Sequence, residues 1–346
     1  MNVKPSVVDA IGNTPLIRLR RVSELTGCEI YGKAEFMNPG QSVKDRPARH
    51  MILEAEKRGD LEPGGLIVEG TAGNTGIGLA LVGKARGYRI VIVIPETQSQ
   101  EKKDTLRLAG AVLVEVPAKP YSDPDNYQHV ARRLADRFRK DEPHGVLFAD
   151  QWNNLDNRTA HLLTTGPEIW DATGGRLDAF ICSVGTGGTL AGTAAYLRDK
   201  KKDIVIGCAD PEGAAMFNLF STGEAKVSDG SSITEGIGLG RVTPIIEDIE
   251  VERPYLIPDR EAIPTVFDLV EHEGLILGGS SGINIAGAVR LARDLGPGHT
   301  IVTILADYGT RYQSKLFNPE FLRANRLPVP EWLTRREPIA VPYEKA

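Results

Sequence analysis

Short runs of β-branched and aliphatic residues alternate along the chain with longer stretches whose apolar positions recur every three or four residues. The runs at 66–68, 90–94, 112–116, 146–149, 179–183, 204–208 and 300–305 predict strands. Between them, 76–86, 100–109, 127–140, 190–200, 260–273 and 284–294 carry helical periodicity, and a further helix is expected through 48–57. Gly87, Gly110, Gly274 and Gly296 stand where four of these helices would stop. The alternation predicts an α/β fold of mostly parallel, twisted sheets flanked by helices. No repeat of 20–50 residues is visible, which argues against a solenoid. The proline-rich stretch 117–126 reads as a surface loop, and a break near 150–157 separates two sets of strand–helix units.

Composition narrows the function classes. At 346 residues the chain is long enough for two packed domains, each with its own core. A formal charge of −5 with mixed signs gives no reason to expect nucleic acid or an anionic membrane as partner. No apolar run reaches the length of a membrane span, and Met1-Asn2-Val3-Lys4-Pro5 lacks a signal peptide's apolar core. Cys28, Cys182 and Cys208 are far apart without metal-ligand spacing, so buried small hydrophobes are expected. The six histidines show no paired spacing, and no metal site is expected. These features read together as a reduced, cytoplasmic protein.

Three glycine-laced turns and one lysine carry the candidate chemistry. Lys44 follows a Pro-Gly turn in Asn38-Pro39-Gly40-Gln41-Ser42-Val43-Lys44-Asp45-Arg46. Glu69-Gly70-Thr71-Ala72-Gly73-Asn74-Thr75-Gly76 then leads from a strand into a helix. Backbone amides at such a helix start favour an anion by roughly 0.3–2 kcal/mol from the dipole alone. An amine beside an anion cradle suits an enzyme that holds an aldehyde cofactor as a Schiff base, which requires a neutral amine and therefore a lowered pKa. Gly185-Thr186-Gly187-Gly188-Thr189 makes a second nest, fit for phosphate without lysine or arginine. Its spacing is not that of a dinucleotide fingerprint, because Leu190 stands where a third glycine belongs. In Gly278-Gly279-Ser280-Ser281-Gly282, Ser280 reads on its own as a helix cap.

These segments resemble the cysteine synthase and cystathionine β-synthase family of pyridoxal 5′-phosphate enzymes, from Ile11-Gly12-Asn13-Thr14-Pro15-Leu16 to about Phe317. The resemblance implies a fold-type II, tryptophan-synthase-β-like architecture. It has a smaller domain at 45–155, a larger one from 1–44 plus 156–322, and the active site between them; the prolines and charges from Arg323 onward suggest a tail over 323–346. It implies that Lys44 anchors the cofactor and moves the substrate α-proton. Thr71 and Thr75 would bind the substrate carboxylate within the loop that includes Ala72 and Gly73, and Asn74 would bond the cofactor 3-hydroxyl. Gly185, Thr186, Gly187, Gly188 and Thr189 would hold its phosphate, and Ser280 its pyridine nitrogen. A serine there makes the ring a weaker electron sink than an aspartate would, favouring β-elimination over transamination. Gln151 matches a glutamine on the substrate side, although the segment after it, Asn154-Leu155-Asp156-Asn157, departs from the family's Asn-Pro-Ala-Asn. Ala72 stands where the family has serine, which bears on rate and substrate choice. Gly236-Ile237-Gly238 resembles a loop near the cofactor, and Asp307-Tyr308-Gly309-Thr310-Arg311-Tyr312 a segment skirting its ring.

The implied reaction is β-replacement or β-elimination on a cysteine- or serine-derived amino acid through an aminoacrylate. Cysteine synthase chemistry, O-acetylserine plus sulfide or another thiol, is the leading expectation. L-cysteine desulfhydrase and cystathionine β-synthase are the alternatives; a nucleotide-binding dehydrogenase or a non-catalytic scaffold is more distant. The family also suggests a homodimer.

Overall fold

The computed structural model describes residues 3–71 and 73–334. In chain order the strands are β1 (Leu16–Arg18), β2 (Glu29–Ala34), β3 (Leu66–Gly70), β4 (Arg89–Pro95), β5 (Val112–Val116), β6 (Val146–Phe148), β7 (Ala179–Cys182), β8 (Val205–Pro211), β9 (Arg253–Ile257) and β10 (Thr300–Leu305). They form a six-stranded sheet, β1-β2-β10-β7-β8-β9, drawn from both ends of the described chain, and a four-stranded sheet, β5-β4-β3-β6, from its middle. Every strand pairing is parallel except β1 with β2.

Helices cover both faces of each sheet, which is why the central strands are apolar throughout. Asp45–Arg58 and Asn74–Ala85 bury Met51 and Ile77 with Ile67 and Ile92 of the smaller sheet. Tyr127–Phe138 packs Ala131 and Ala135 on the opposite face, against Val68 and Val93. In the larger sheet, Gly188–Lys200 seats Leu190 and Leu197 on Phe180 and Ile206. Gly279–Leu295 packs Ile285 and Leu291 with Ile181 and Ile301.

Strand order places the site. β3, β4 and β5 step one way across the small sheet, and β6 then returns to the free side of β3. β7, β8 and β9 likewise step away before β10 returns to the other side of β7. In open α/β sheets a crevice for ligands opens beyond the carboxyl ends of the strands at such reversals. The segments that leave those ends are 71–75 and 149–151 in one sheet, and 183–189 and 306–307 in the other.

The structure adds three strands to those read from the sequence. In β2 the apolar run is interrupted by Lys33, which is only 1% exposed and is neutralised by Glu168 at 2.7 Å. β9 contains Pro254, which a sheet tolerates at its edge, where β9 lies. β1 is short and only partly buried. Three helices begin earlier than their periodicity indicates, at Asn74, Gly188 and Gly279, because low-propensity residues open them. A π-helical turn, His161–Thr165, runs into the helix Gly166–Ala172 where no helix was read. Near the C-terminus, Leu327, Val329, Trp332 and Leu333 pack on a cluster that includes Ile263, Phe267 and Leu322. Residues 335–346 of the expected tail lie outside the described residues.

One buried ionic network anchors the helix Asp45–Arg58. The Arg46 guanidinium donates to both oxygens of Glu35 at 2.7 and 2.8 Å, and to both of Glu168 at 2.7 Å. Thr14 and Asn38 complete Glu35, donating at 2.7 and 2.8 Å. The Gly-Asn-Thr-Pro turn near the N-terminus is thereby tied to the base of that helix. Breaking a buried pair strands its partner charge, at a cost of about 3–5 kcal/mol. We therefore expect Arg46→Met to lose that much in urea unfolding of the cofactor-free protein. A loss below about 1 kcal/mol, the range of exposed pairs, would contradict the network's role.

Candidate active site

Lys44 is the residue from which the helix Asp45–Arg58 starts, at the end of a tightly constrained turn. Gln41 takes φ 58°, and the Asp45 carboxylate accepts the Gly40 amide at 2.5 Å. A Cβ at residue 40 would lie 2.4 Å from that carboxylate, so the turn requires glycine. Val43 donates to the Ala306 carbonyl at 2.8 Å, fastening the turn to the segment just beyond β10. Burial pushes the Asp45 carboxyl up to about 7, although the Gly40 amide and Arg311 oppose this.

The Lys44 side chain enters a cavity of about 230 Å³, room for a small molecule and not for a polymer. Among the described residues its amine makes no hydrogen bond or ion pair. Enclosure by protein lowers its pKa, and the nearby Lys102 charge adds to this; Asp307 and Cys182 act in the opposite sense. An amine held toward its neutral form with a free lone pair is what carbonyl addition requires.

The same cavity is lined by Thr71, Gly73, Asn74, Thr75 and Gln151 from the small sheet's crevice, and by Gly185 and Thr186 from the large one's. Gly73 has φ 138°, and a Cβ there would lie 2.6 Å from Lys102 Cδ, so no larger residue fits. Thr75 donates its hydroxyl to Gln151 Oε1 at 2.5 Å. Gln151 is turned inward by Asp150, which sits in the left-handed region at φ 44° and is held by Arg132 and Asn153. Behind Gln151 lies Glu69, fully buried, with one carboxylate oxygen unpartnered. Burial and the nearby Asp150 carboxylate raise the Glu69 pKa well above the usual carboxylate range. Ala72 lies outside the described residues.

An adjoining small cavity is lined by Lys44, Cys182, Gly185, Thr186, Gly187 and Thr189. Among the described residues the amides of Gly185, Thr186 and Gly187 have no hydrogen-bond partner in the chain. Three such donors at the start of the helix Gly188–Lys200 form an anion nest. Two buried side chains hold its hydroxyls. Asn157 donates to Thr186 Oγ1 at 2.9 Å and to the Gln151 carbonyl at 2.8 Å. His161 lies 3.2 Å from Thr189 Oγ1 and 2.8 Å from Thr165 Oγ1, and burial drives its pKa well below the ordinary value. A neutral imidazole there leaves the nest without a competing charge. These free amides, and the free amine of Lys44, fit the phosphate and aldehyde of pyridoxal phosphate.

Two expected positions lie outside both linings. Gly188 lines neither cavity; it is packed so that a Cβ would lie 2.2 Å from Asn157 Oδ1. Ser280, 5% exposed at the start of the helix Gly279–Leu295, lines neither cavity either. Its hydroxyl has no hydrogen-bond partner among the described residues, whereas the neighbouring Ser281 accepts the Ala306 amide at 3.0 Å.

Sequence reasoning missed Lys102, Tyr127, Trp152 and Leu239 in the cavity lining, together with Asn157 and His161 behind it. Lys102 is buried, pairs with Glu235, and sits 4.8 Å above the Tyr312 ring. Nothing local in sequence marks these residues; only the last asparagine of Asn154-Leu155-Asp156-Asn157 carried a signal.

The family described as Pyridoxal-phosphate dependent enzyme matches residues 7–307. Cysteine synthase 1 of Neurospora crassa is 49% identical over 339 residues, covering 96% of this chain and 89% of that protein. The solved O-acetylserine dependent cystathionine beta-synthase from Helicobacter pylori superposes with a TM-score of 0.81 at 33% identity, covering 91% of this chain and 99% of that one. A hydrogen sulfide-producing enzyme from Fusobacterium nucleatum gives 0.79 at 31% identity, covering 90% of this chain and all of its own.

The lowered Lys44 pKa has a consequence for stability. The unfolded chain keeps its amine near 10.5 and the folded state holds it lower, so between those values the unfolded state binds more protons. Stability therefore rises with pH across that window, and the cost of the buried amine is greatest below it. Lys44→Met in the cofactor-free protein is expected to melt higher than wild type at pH 7, with the gap closing above pH 10.5. A gap independent of pH would contradict the shift.

Proposed function

Because this chain belongs to the pyridoxal-phosphate dependent enzymes, we propose that it replaces the β-substituent of a serine-derived amino acid with sulfide: O-acetylserine and sulfide give L-cysteine and acetate. The observation that carries this reading is the unpartnered Lys44 amine in a cavity shared by two empty-handed helix starts, one for a carboxylate and one for a phosphate. Bound pyridoxal phosphate supplies an aldehyde and an electron-withdrawing ring that draws charge from the substrate α-carbon. The chain's own residues do the rest. Lys44 Nζ, its pKa lowered by enclosure, takes the proton from that α-carbon. The Thr71 hydroxyl and the first-turn amide of Thr75, at the start of the helix Asn74–Ala85, receive the substrate carboxylate. Gln151 fixes the Thr75 hydroxyl, and buried Glu69 backs Gln151. The amides of 185–187 hold the cofactor phosphate, the Thr186 and Thr189 hydroxyls beside them, and Ser280 offers a free hydroxyl to the ring nitrogen. Acetate then leaves the β-carbon, sulfide bonds to the same carbon, and Lys44 returns the proton to the α-carbon.

In this reading residues 45–155 form the smaller unit, which brings the carboxylate loop to a larger one built from 1–44 and 156–322. A homodimer in a reducing cytoplasm suits it, and the three buried free cysteines agree with such a compartment. The similarity to a hydrogen sulfide-producing enzyme favours one second reading, cleavage of L-cysteine to sulfide, pyruvate and ammonia by the same residues.

Purified protein titrated with O-acetylserine and then sulfide is expected to lose and regain its visible cofactor band, with cysteine formed. Lys44→Ala should lower turnover by on the order of 10²–10⁴-fold or more. Sulfide and pyruvate accumulating from cysteine alone would replace the synthase reading with the second. An unchanged rate in Lys44→Ala would sink both.

A further inference from the structure

An asparagine amide looks alike from both ends, yet one end donates hydrogen bonds and the other accepts them. Which end Asn74 offers the cavity is decided by its neighbours. Its Nδ2 donates to Asp307 Oδ2 at 2.6 Å, and its Oδ1 accepts from Arg311 Nη1 at 2.8 Å. A carboxylate can only accept, and a guanidinium can only donate. Turning the amide over would set its oxygen against the carboxylate and its N–H groups against the cation. One orientation survives, and it leaves an uncommitted N–H on Nδ2.

The two residues that impose it are themselves fixed. Asp307 is buried just beyond β10 and also accepts the Tyr312 hydroxyl. Arg311 is 4% exposed and donates to the Gly40 carbonyl as well, within the turn that ends at Lys44. Its own carbonyl accepts the Ser99 hydroxyl at 3.2 Å. Arg311 therefore touches the Lys44 turn, the Asn74 helix start and the segment before the helix Gln100–Leu108.

We propose that Arg311, acting with Asp307, is a positioning residue that locks Asn74 as a hydrogen-bond donor toward an oxygen anion in the cavity, the ring oxygen of bound pyridoxal phosphate. This rests on the cofactor reading above. A donor at that oxygen stabilises its ionised form, so the clamp acts on cofactor affinity and on the acidity of the bound cofactor before any substrate arrives. Without Arg311 only Asp307 opposes the flipped amide, whose carbonyl would repel an anion.

The test is a double-variant cycle on cofactor-free protein refilled with pyridoxal phosphate. Wild type, Arg311→Met, Asn74→Ala and the double variant are compared by two readouts: the dissociation constant, and the pH dependence of the visible absorbance band. Losing one charge-assisted donor should weaken binding about tenfold in each single variant and move the band's titration to higher pH. The double variant should be no weaker than Asn74→Ala alone if the effect of Arg311 on the cofactor runs through that amide rather than through its bond to the Gly40 carbonyl. Arg311→Lys, which keeps a cationic donor, should recover part of the affinity. Equal weakening by Arg311→Met with and without Asn74 would overturn the proposal and leave Arg311 a structural residue. If Arg311→Met fails to fold, Arg311→Gln carries the same cycle with the same deciding outcomes. Wild-type protein that binds no pyridoxal phosphate would remove the cofactor reading itself, a failure distinct from an additive cycle.

Discussion

A lysine amine taken out of water loses the hydration that favours its charged form, and among the described residues Lys44 has no carboxylate at bonding distance to restore it. The rest of the site follows from that constraint. Burying the amine requires the chain to approach from a turn too tight for a side chain at residue 40 and to start a helix at once. The helix is held by Arg46, whose two carboxylate partners lie immediately after β2 and in the helix Gly166–Ala172. Charge is thus committed to structure two residues away from the amine. The carboxylate of Asp307 is near enough to oppose the shift, yet its bonds go to Asn74 and Tyr312. Lys102 adds a second positive charge that favours neutral Lys44, and is itself satisfied by Glu235.

Topology explains why a lysine from one part of the chain meets loops from four others. In each sheet a late strand returns beside the first strand of its run, and the reversal opens a crevice beyond the carboxyl ends. The small sheet contributes Thr71 and Thr75 after β3 with Gln151 after β6. The large sheet contributes 185–189 after β7 and Asp307 after β10. Lys44 follows β2, which pairs with β10, so its turn reaches the same opening. Anion-binding helix starts recur here because every parallel strand must hand over to a helix whose first amides lack partners.

Much of this was legible in the chain. The strands buried on both faces announced themselves by unbroken β-branched runs, and the Lys44 turn and glycine loops by residue types that few other structures need. Less was legible where local and long-range preferences conflict. The helices at Asn74, Gly188 and Gly279 open with residues of poor helix propensity, chosen for close approach: a Cβ at Gly188 would meet Asn157, and one at Gly279 would meet Thr234. Lys33 hid β2, because its partner Glu168 lies far along the chain. Arg311, Asp307, Lys102 and His161 act through contacts with distant residues, which no local spacing reveals. Asn74 was expected to face the cofactor, but not to be held there by an arginine and a carboxylate from the other sheet.

The account stands on the protonation state of one amine. Its direct test is a pH titration of the lysine side-chain nitrogens by 15N NMR in cofactor-free protein, with the Lys44 signal assigned by its loss in Lys44→Met. The account predicts that this signal titrates below the ordinary 10.5, apart from the surface lysines. A Lys44 amine that titrates at or above 10.5 would contradict it, since the residue would then be a solvated or paired cation and the cavity would lose its nucleophile.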